Sequence, residues 1–448
     1  MKTTNRHTAA SFNTWQRPLA AAVLAASGLG ATLPAFADAE NDALKREVAE
    51  QKVLIQKIFA ELQSLRAAQA AAPAAAPAAA PATSVGAKVA SLVPGAPQLS
   101  FYGVLDGGYE HIGNVQQGTS KGSLNRLPSV TGTIASRVGV KAVKDLTDGY
   151  KAVGVAEAGF NMDDGSLGQG GRLFGRQLYA GIDTPIGTFT FGRQYSMLLF
   201  GMDSSDLLGP NIYGLGSFDY YLPSARFDNS IAWRGTFSKL SMGINYSAGR
   251  DTKGGTPSSG TCAGEIAGNA DSCKGWSAMI RYDDERFGVA AATDVQHGGT
   301  CATASFFNGT AAIPFTNSGD TDTRTALGGY VKLGQGRVGF GWLGRKVDAA
   351  AAQVKSDIYY VEGAHPITTR ISVDGSFQRI LNKDQERDGS LIVLRGFYSF
   401  DKDFSTYLQL AHIDNSSKAQ YAASVGAGIS PPAGGSQNAS MIGLRYRF

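Results

Sequence analysis

The chain has 448 residues, of which 17% are charged, and it carries 57 glycines against 16 prolines. Soluble domains normally carry about a quarter charged residues, so this composition favours a sheet with one face in lipid. The formal net charge is +4, but three of the 41 basic residues lie within the first 37 positions. Without them, 38 basic residues face 37 acidic ones. That balance argues against nucleic acid as a partner.

Residues 1–37 have the pattern of a secretory signal peptide. Three basic residues precede or begin an apolar stretch at 19–33, and Ala35-Phe36-Ala37 fits an A-x-A cleavage site. An uncleaved membrane anchor is the alternative, but the apolar core is short and rich in Ala and Gly. No run of 18 apolar residues follows, so the exported chain is predicted to be either soluble or a membrane β-barrel.

Residues 38–69 show a 3-4 alternation of apolar positions, which predicts a coiled-coil helix. With Ile55 at an a position, Ile58 falls at d, and β-branched residues at both positions lean toward three strands. A single amphipathic helix packed on the protein's own core is the alternative. Residues 70–97 follow as a low-complexity Ala/Pro-rich linker, which is predicted to be a semi-stiff spacer.

Residues 98–448 follow a period-2 pattern that predicts sixteen strands. The predicted strands are 99–109, 131–142, 150–160, 173–183, 187–195, 226–237, 240–248, 275–283, 287–296, 323–333, 336–345, 353–364, 368–378, 390–400, 403–412 and 438–448. Long loops alternate with tight turns, which is typical of membrane barrels and not of soluble sandwiches. The fold class is therefore all-β, a 16-stranded antiparallel transmembrane β-barrel preceded by the coiled-coil helix.

Alternation within the strands predicts a wet interior. Arg137 and Lys141 share one face of their strand, and Glu157 lies opposite a row of alanines in the next. Arg176 disagrees, because it is in phase with the apolar Leu178. Either a bulge intervenes or that part of the wall does not face lipid. Aromatic residues gather near strand ends, as interfacial girdles require.

The stretch from 195 to 226 interrupts this alternation for about thirty residues, and long connections of this kind are more often functional than idle. It carries Asp203, Asp206 and Asp219 together with several aromatic residues. The stretch therefore has apolar side chains to pack and carboxylates to present. We predict that it folds inward and narrows a water-filled tube.

Three cysteines, Cys262, Cys273 and Cys301, fall in polar, glycine-rich stretches that are typical of loops. In an oxidising compartment, Cys262 and Cys273 can close a local loop. Cys301 is then left over, or it pairs in place of one of them. A zinc site is not predicted, because only His297 lies nearby. No metal or other cofactor is expected.

Four segments carry a family resemblance: FYGVLDGGYE, SRVGVKAVKDLTDGYKAVGVAEAGF, GRLFGRQLYAGIDTPIGTFTFGRQY and the closing MIGLRYRF. They are similar to the Gram-negative trimeric porins, especially the general porins of β-proteobacterial type. The coiled coil and linker resemble the N-terminal extension of DcaP-type transporters. The resemblance implies a homotrimer among outer-membrane lipids, a periplasmic coiled coil, and a final Phe448 that the barrel-assembly machinery reads.

In such porins the third external loop folds into the barrel and faces a row of arginines on the wall. The resemblance therefore implies basic residues at the pore constriction, which are Arg137, Arg176 and Arg226, with Arg193 as a weaker candidate. It also implies acidic residues on the loop, which are Asp203 and Asp206, with Asp219 as a weaker candidate.

The leading hypothesis is a porin for passive diffusion of small hydrophilic solutes and ions, with a mild anion preference. A substrate-selective channel, for example for carboxylates, is the alternative. An outer-membrane barrel enzyme has little support, since no G-x-S-x-G occurs and His412 near Ser405 and Asp414 is thin evidence. No enzymatic activity is therefore predicted. A structural role of the helical arm, tying the barrel to the cell wall or to a partner, can coexist with a channel.

Overall fold

The computed structural model describes residues 56, 60, 97–129, 132–250, 262, 264–299, 313–426 and 428–448. The chain divides into two units, Met1–Pro81 and Ala82–Phe448. In the first unit, Gln56 and Ala60 are helical. The remainder of the predicted coiled coil, the signal peptide and nearly all of the linker lie outside the described residues.

Seventeen strands form one sheet in the described part of the second unit. They are β1 (Gln98–Gln117), β2 (Ser120–Arg126), β3 (Arg137–Asp145), β4 (Lys151–Gly159), β5 (Gln177–Thr184), β6 (Gly187–Tyr195), β7 (Arg226–Phe237), β8 (Leu240–Ser247), β9 (Gly275–Asp283), β10 (Phe287–His297), β11 (Thr321–Leu333), β12 (Gly336–Asp348), β13 (Gln353–Pro366), β14 (Ile371–Leu381), β15 (Gly389–Ser399), β16 (Phe404–Asn415) and β17 (Gln437–Arg447).

In the described part of this unit, helical structure is confined to short pieces. Helix α1 spans Met197–Met202, and single turns occur at Gly168–Gly171, Leu215–Ser217, Leu222–Ser224 and Lys383–Gln385. Among the described helices, none has the length and apolar character needed to cross a membrane.

The sheet closes into a barrel of sixteen wall positions, as predicted. Neighbouring strands pair antiparallel around the ring, and β1 completes it by pairing with β17. The first half of β1 pairs with β3 and its second half with β2, so β2 and β3 share one position in the wall. The prediction of a single second strand at 131–142 is wrong, because the chain leaves the sheet after β2. Pro128, which lacks the N–H that a ladder needs, lies just beyond that point.

Alternate residues separate an apolar outer face from an inner face. On β17, Ile442 and Leu444 are exposed, whereas Met441 beside them is buried on the inside. Large exposed apolar residues recur in this phase around the wall, as lipid contact requires. At the end of the barrel with the tight turns, the ring of Phe404 lies 6.3 Å from that of Tyr446. These rings belong to the aromatic belt that the sequence predicts.

The inner loop, residues 196–225 between β6 and β7, lies inside the barrel. Tyr213 and Phe218 in this loop are fully buried. The Met197 N–H donates to Ser277 Oγ on β9 at 2.8 Å, and the Leu207 N–H donates to Glu362 Oε2 on β13 at 2.5 Å. Because Glu362 belongs to the opposite wall, the loop crosses the bore. The predicted inward fold of the third external loop is confirmed.

Candidate functional site

A cavity of about 290 Å³, here named the constriction cavity, separates the inner loop from strands β3 to β6. The wall contributes polar side chains that include Arg137, Glu157, Arg176, Gln177 and Tyr195. The loop contributes apolar side chains and two carboxylates, including Leu198, Met202, Asp203, Asp206 and Pro210. Four of the residues singled out from the sequence, two basic and two acidic, are thus brought together around one space.

Both wall arginines of this cavity interact with the same carboxylate, that of Glu157. Arg176 Nε donates to Glu157 Oε1 at 2.7 Å, and Arg137 Nε lies 3.5 Å from Glu157 Oε2. Tyr102 donates its hydroxyl to the same Oε2 at 3.0 Å. Arg176 therefore faces inward although it is in phase with Leu178, which is exposed on the outer face. The alternation changes just before β5, which begins one residue after Arg176.

Tyr195 joins a third guanidinium to this group. Its hydroxyl oxygen accepts from Arg176 Nη2 at 2.6 Å and from Arg226 Nη2 at 2.9 Å. The guanidinium carbon of Arg226 also lies 4.5 Å from the centre of the Tyr195 ring, a cation–π contact. No carboxylate among the described residues forms an ion pair with Arg226. Arg137 and Arg176 therefore share the carboxylate of Glu157, Arg226 adds a third guanidinium bound only through Tyr195, and this group keeps an excess of positive charge.

The two loop carboxylates differ in how freely they meet water. The side chain of Asp203 is 76% exposed and lies 3.9 Å from Arg281. Asp206 accepts the Gly209 N–H on Oδ1 at 2.9 Å, where Gly209 has a positive φ of 63° that favours glycine. Burial raises the pKa of Asp206, and the negative charge of Asp203 adds to the rise.

The two weaker candidates do not line the constriction cavity. Arg193 Nη1 pairs with Asp228 Oδ1 at 2.5 Å and its Nε donates to the Gly175 carbonyl at 2.7 Å. Asp219 is 1% exposed and accepts from Arg324 Nε at 2.7 Å, with Arg345 Nη1 at 3.4 Å. Asp219 therefore fastens the loop to the opposite wall and does not face solution.

Sequence reasoning missed the residues that fasten the inner loop. Glu362 on β13 accepts the N–H groups of Leu207 and Leu208 at 2.5 and 3.0 Å. Arg395 on β15 donates to the Leu208 carbonyl at 3.2 Å, and Arg337 on β12 donates to the Ser204 carbonyl. Each sits at an inward position of its strand, and charged residues at such positions were the available signal.

Comparison with known proteins now bears on this geometry. Residues 67–418 match the family model described as Gram-negative porin. The chain belongs to the Gram-negative porin family. This porin is 30% identical over 168 residues to an outer membrane porin protein of Bordetella pertussis, across 35% of this chain and 44% of that relative. The aligned part thus spans less than half of the relative's length. An outer-membrane location agrees with both matches.

Solved structures share the fold of this porin at low sequence identity. The anion-selective porin from Comamonas acidovorans has a TM-score of 0.62 at 18% identity, covering 79% of this chain and 100% of that one. The trimer form of OmpT from Vibrio cholerae has a TM-score of 0.55 at 18% identity, with the same two coverages. The channel DcaP of Acinetobacter baumannii has a TM-score of 0.53 at 13% identity, covering 79% and 98%.

Two cysteines of the porin lie together in the external loops. Cys262 and Cys273 are both buried. The hydrogen bond between their side chains, followed by burial, raises the pKa of the Cys262 thiol. A disulfide between them stays a prediction, and Cys301 lies outside the described residues. Within the described ranges, no three His, Cys, Asp or Glu side chains are grouped to hold a metal ion.

The weak enzymatic candidate does not assemble. His412 Nε2 lies 3.1 Å from Asp414 Oδ2 on the exposed outer face of β16. Ser405 is buried and an odd number of residues away on the same strand, so its side chain points to the inner face. At about 3.3 Å per residue, the two lie near opposite ends of the strand. This Ser and His cannot form a nucleophile–base pair, which agrees with membership of a channel family.

Proposed function

We propose that this porin lets small hydrophilic solutes and ions diffuse passively across the outer membrane, with a mild preference for anions. The observation that carries the proposal is the constriction cavity, where Arg137 and Arg176 share the carboxylate of Glu157 and face Asp203 and Asp206 on the inner loop. Arg226 lies next to this group, bonded to the Tyr195 hydroxyl. Opposed charges across a narrow aqueous gap produce a transverse field, and such fields act strongly between low-dielectric walls.

The lean toward anions rests on the charge of the wall. Rings of arginine in a pore favour anions, and here the wall carries three guanidinium groups against Glu157. The loop acids oppose this excess, so the preference is mild. The Comamonas acidovorans protein is anion-selective by name, which supports the same lean here.

A substrate-selective channel is the second candidate function. Arginine presents a planar fork of donors that matches a carboxylate, and the lining of the constriction cavity holds two such forks at Arg137 and Arg176. Small carboxylates would then pass faster than other anions of equal size.

The assembly that we propose is a homotrimer surrounded by outer-membrane lipids. The outward positions Ala152, Gly154 and Ala156 of β4 carry only small side chains, which suits close contact between copies. The Vibrio cholerae protein that shares the fold has a trimer form. Residues 38–69 would add a periplasmic coiled coil after removal of 1–37, and 70–97 would act as a spacer before the barrel at 98–448. Phe448 would be the signal for the barrel-assembly machinery.

Planar-bilayer recording of the purified porin tests the proposed function. We expect ohmic current steps in groups of three, and a reversal potential under a potassium chloride gradient whose sign reports chloride passing faster than potassium. Absence of current from correctly folded protein would overturn the channel. A reversal potential of the opposite sign would overturn only the anion preference.

A further inference from the structure

A second cavity of about 360 Å³, here named the vestibule cavity, lies beside the constriction cavity among the external loops. Its lining comes from the loops that follow β2, β4 and β16, and from the inner loop. Arg176, Pro210 and Pro223 line both cavities. The two cavities therefore adjoin each other, and the vestibule cavity is the one lined by the external loops.

Arg226 lines the vestibule cavity, and its positive charge has no ion-pair partner among the described residues. It is only 4% exposed, yet no carboxylate in the described ranges pairs with it, and Tyr195 is the neutral acceptor of its Nη2. Its Nε has no acceptor in this part of the chain. Burial of a guanidinium without an anion is costly, and an oxyanion within reach would offset that cost.

The other two arginines of this cavity are already paired. Arg126 Nε donates to Glu110 Oε2 at 2.7 Å, and Arg176 donates to Glu157. A ligand anion would therefore gain most from Arg226, the guanidinium that keeps a free donor. The neighbouring charge of Arg176 strengthens the local positive potential.

The remaining lining describes the rest of the ligand. Pro128, Pro210, Ile212 and Pro223 present apolar surface, while the Ser129 hydroxyl already donates to Asp163 at 2.8 Å. A bare inorganic ion would leave the apolar surface uncovered. A carboxylate attached to a small apolar body would cover it, and removal of that apolar surface from water favours binding.

We propose that the vestibule cavity is a binding subsite for small organic carboxylates with an apolar body, with the carboxylate held by Arg226. This inference rests on the proposed function, because the subsite feeds the constriction cavity. The subsite concentrates such anions at the entrance, and their residence there slows the passage of chloride.

The test records chloride current through single trimers while benzoate is added on the side of the external loops. We expect a saturable block, with a half-blocking concentration at least about tenfold lower than for acetate, since acetate lacks the apolar body. In Arg226→Gln, the half-blocking concentration of benzoate should rise by about tenfold, the loss expected for one charge-assisted hydrogen bond.

Arg234→Gln is the matched control. Arg234 lies on the same strand, β7, and its guanidinium packs on the ring of Phe200 at 4.0 Å, outside the lining of the vestibule cavity. This variant should keep the half-blocking concentration of benzoate within about twofold, whatever its conductance. Chloride current without saturable block, equal potency of acetate, or equal block in Arg226→Gln would overturn the subsite alone. Absence of any current would instead overturn the channel.

Discussion

Two walls of this barrel carry inward arginines and use them in different ways. On the near wall, β3 to β7, Arg137 and Arg226 border the two cavities. Arg137 shares Glu157 with Arg176, and Arg226 has no carboxylate partner among the described residues. On the far wall, β9 to β15, Arg324, Arg345 and Arg395 are each bound to aspartates, at distances of 2.6 to 2.7 Å. The residue type and its inward phase are the same. The supply of carboxylate partners decides whether an arginine acts on solutes or holds the protein together.

The inner loop is bound to the far wall and leaves a cavity against the near wall. Asp219 and the backbone at 204–208 take up the far-wall charges, so the loop is fastened on that side. Its exposed acid, Asp203, lines the constriction cavity and lies 3.9 Å from Arg281 on β9. The constriction cavity therefore lies between the fastened loop and the near wall, where Arg226 has no carboxylate partner among the described residues.

Loss of a far-wall anchor should have the largest effect. Asp219→Ala leaves the fully buried Arg324 and its neighbour Arg345 short of one carboxylate. Removal of one partner of a buried ion pair costs about 3–5 kcal/mol. We expect that loss in the opening free energy of the inner loop, measured by amide hydrogen exchange at residues 212–222.

Asp203→Ala is the control for that measurement. It removes a carboxylate from the same loop, but one whose side chain is 76% exposed and 3.9 Å from Arg281. Exposed pairs of this kind contribute about 0–1 kcal/mol, so loop exchange should hardly change. Equal protection of the loop in both variants would refute the anchoring role of the far wall.

On the near wall, the expected effect is on selectivity. Arg137→Ser removes a half-buried charge from the constriction cavity while Arg176 keeps its bond to Glu157. The ratio of chloride to potassium permeability should fall by roughly two- to threefold, as expected when one basic group leaves a charged constriction. Reversal potentials under a salt gradient measure it.

The variant Arg193→Ser distinguishes the effect of arginines that line the constriction cavity from the effect of the protein's total charge. Arg193 is paired with Asp228 and does not line the constriction cavity. The permeability ratio of this variant should stay at the wild-type value. An equal fall in both variants would mean that total charge, and not the near-wall lining, sets selectivity.

The smallest expected effect is a pH dependence of the loop charge. Burial, with a further contribution from Asp203, raises the pKa of Asp206, so Asp206 gains its proton at a higher pH than an ordinary aspartate. As pH falls, the loop loses negative charge and the preference for anions should rise. Asp206→Asn should show the raised preference already at neutral pH, with less change on acidification. A wild-type permeability ratio that falls on acidification would contradict this assignment.

Much of the barrel could be predicted because strands impose a local period of two. Alternation alone predicts strands at residues 336–345 and 438–448, and β12 and β17 form there. The inner loop could be predicted because thirty residues without alternation must lie somewhere apart from the wall. The role of Asp219 could not, because its partner Arg324 is 105 residues away and meets it only after the barrel closes. The same holds for Arg226, whose lack of a carboxylate depends on every neighbour in three dimensions.

The contact between Phe448 and Gly103 has a consequence for how the cylinder is made. Their backbones exchange two hydrogen bonds, of 2.8 and 3.1 Å, and the Phe448 ring occupies the space that a Cβ on residue 103 would need. Except for the first half of β1 and β3, which β2 separates in sequence, all other neighbouring strands follow each other in the chain and can pair as hairpins. This joint alone must find a partner across more than three hundred residues, at an entropic cost that grows with the logarithm of that span. We therefore expect the neighbouring strands to form a sheet before β1 and β17 pair and close the barrel. Gly103 leaves the space that the Phe448 ring needs for this closure.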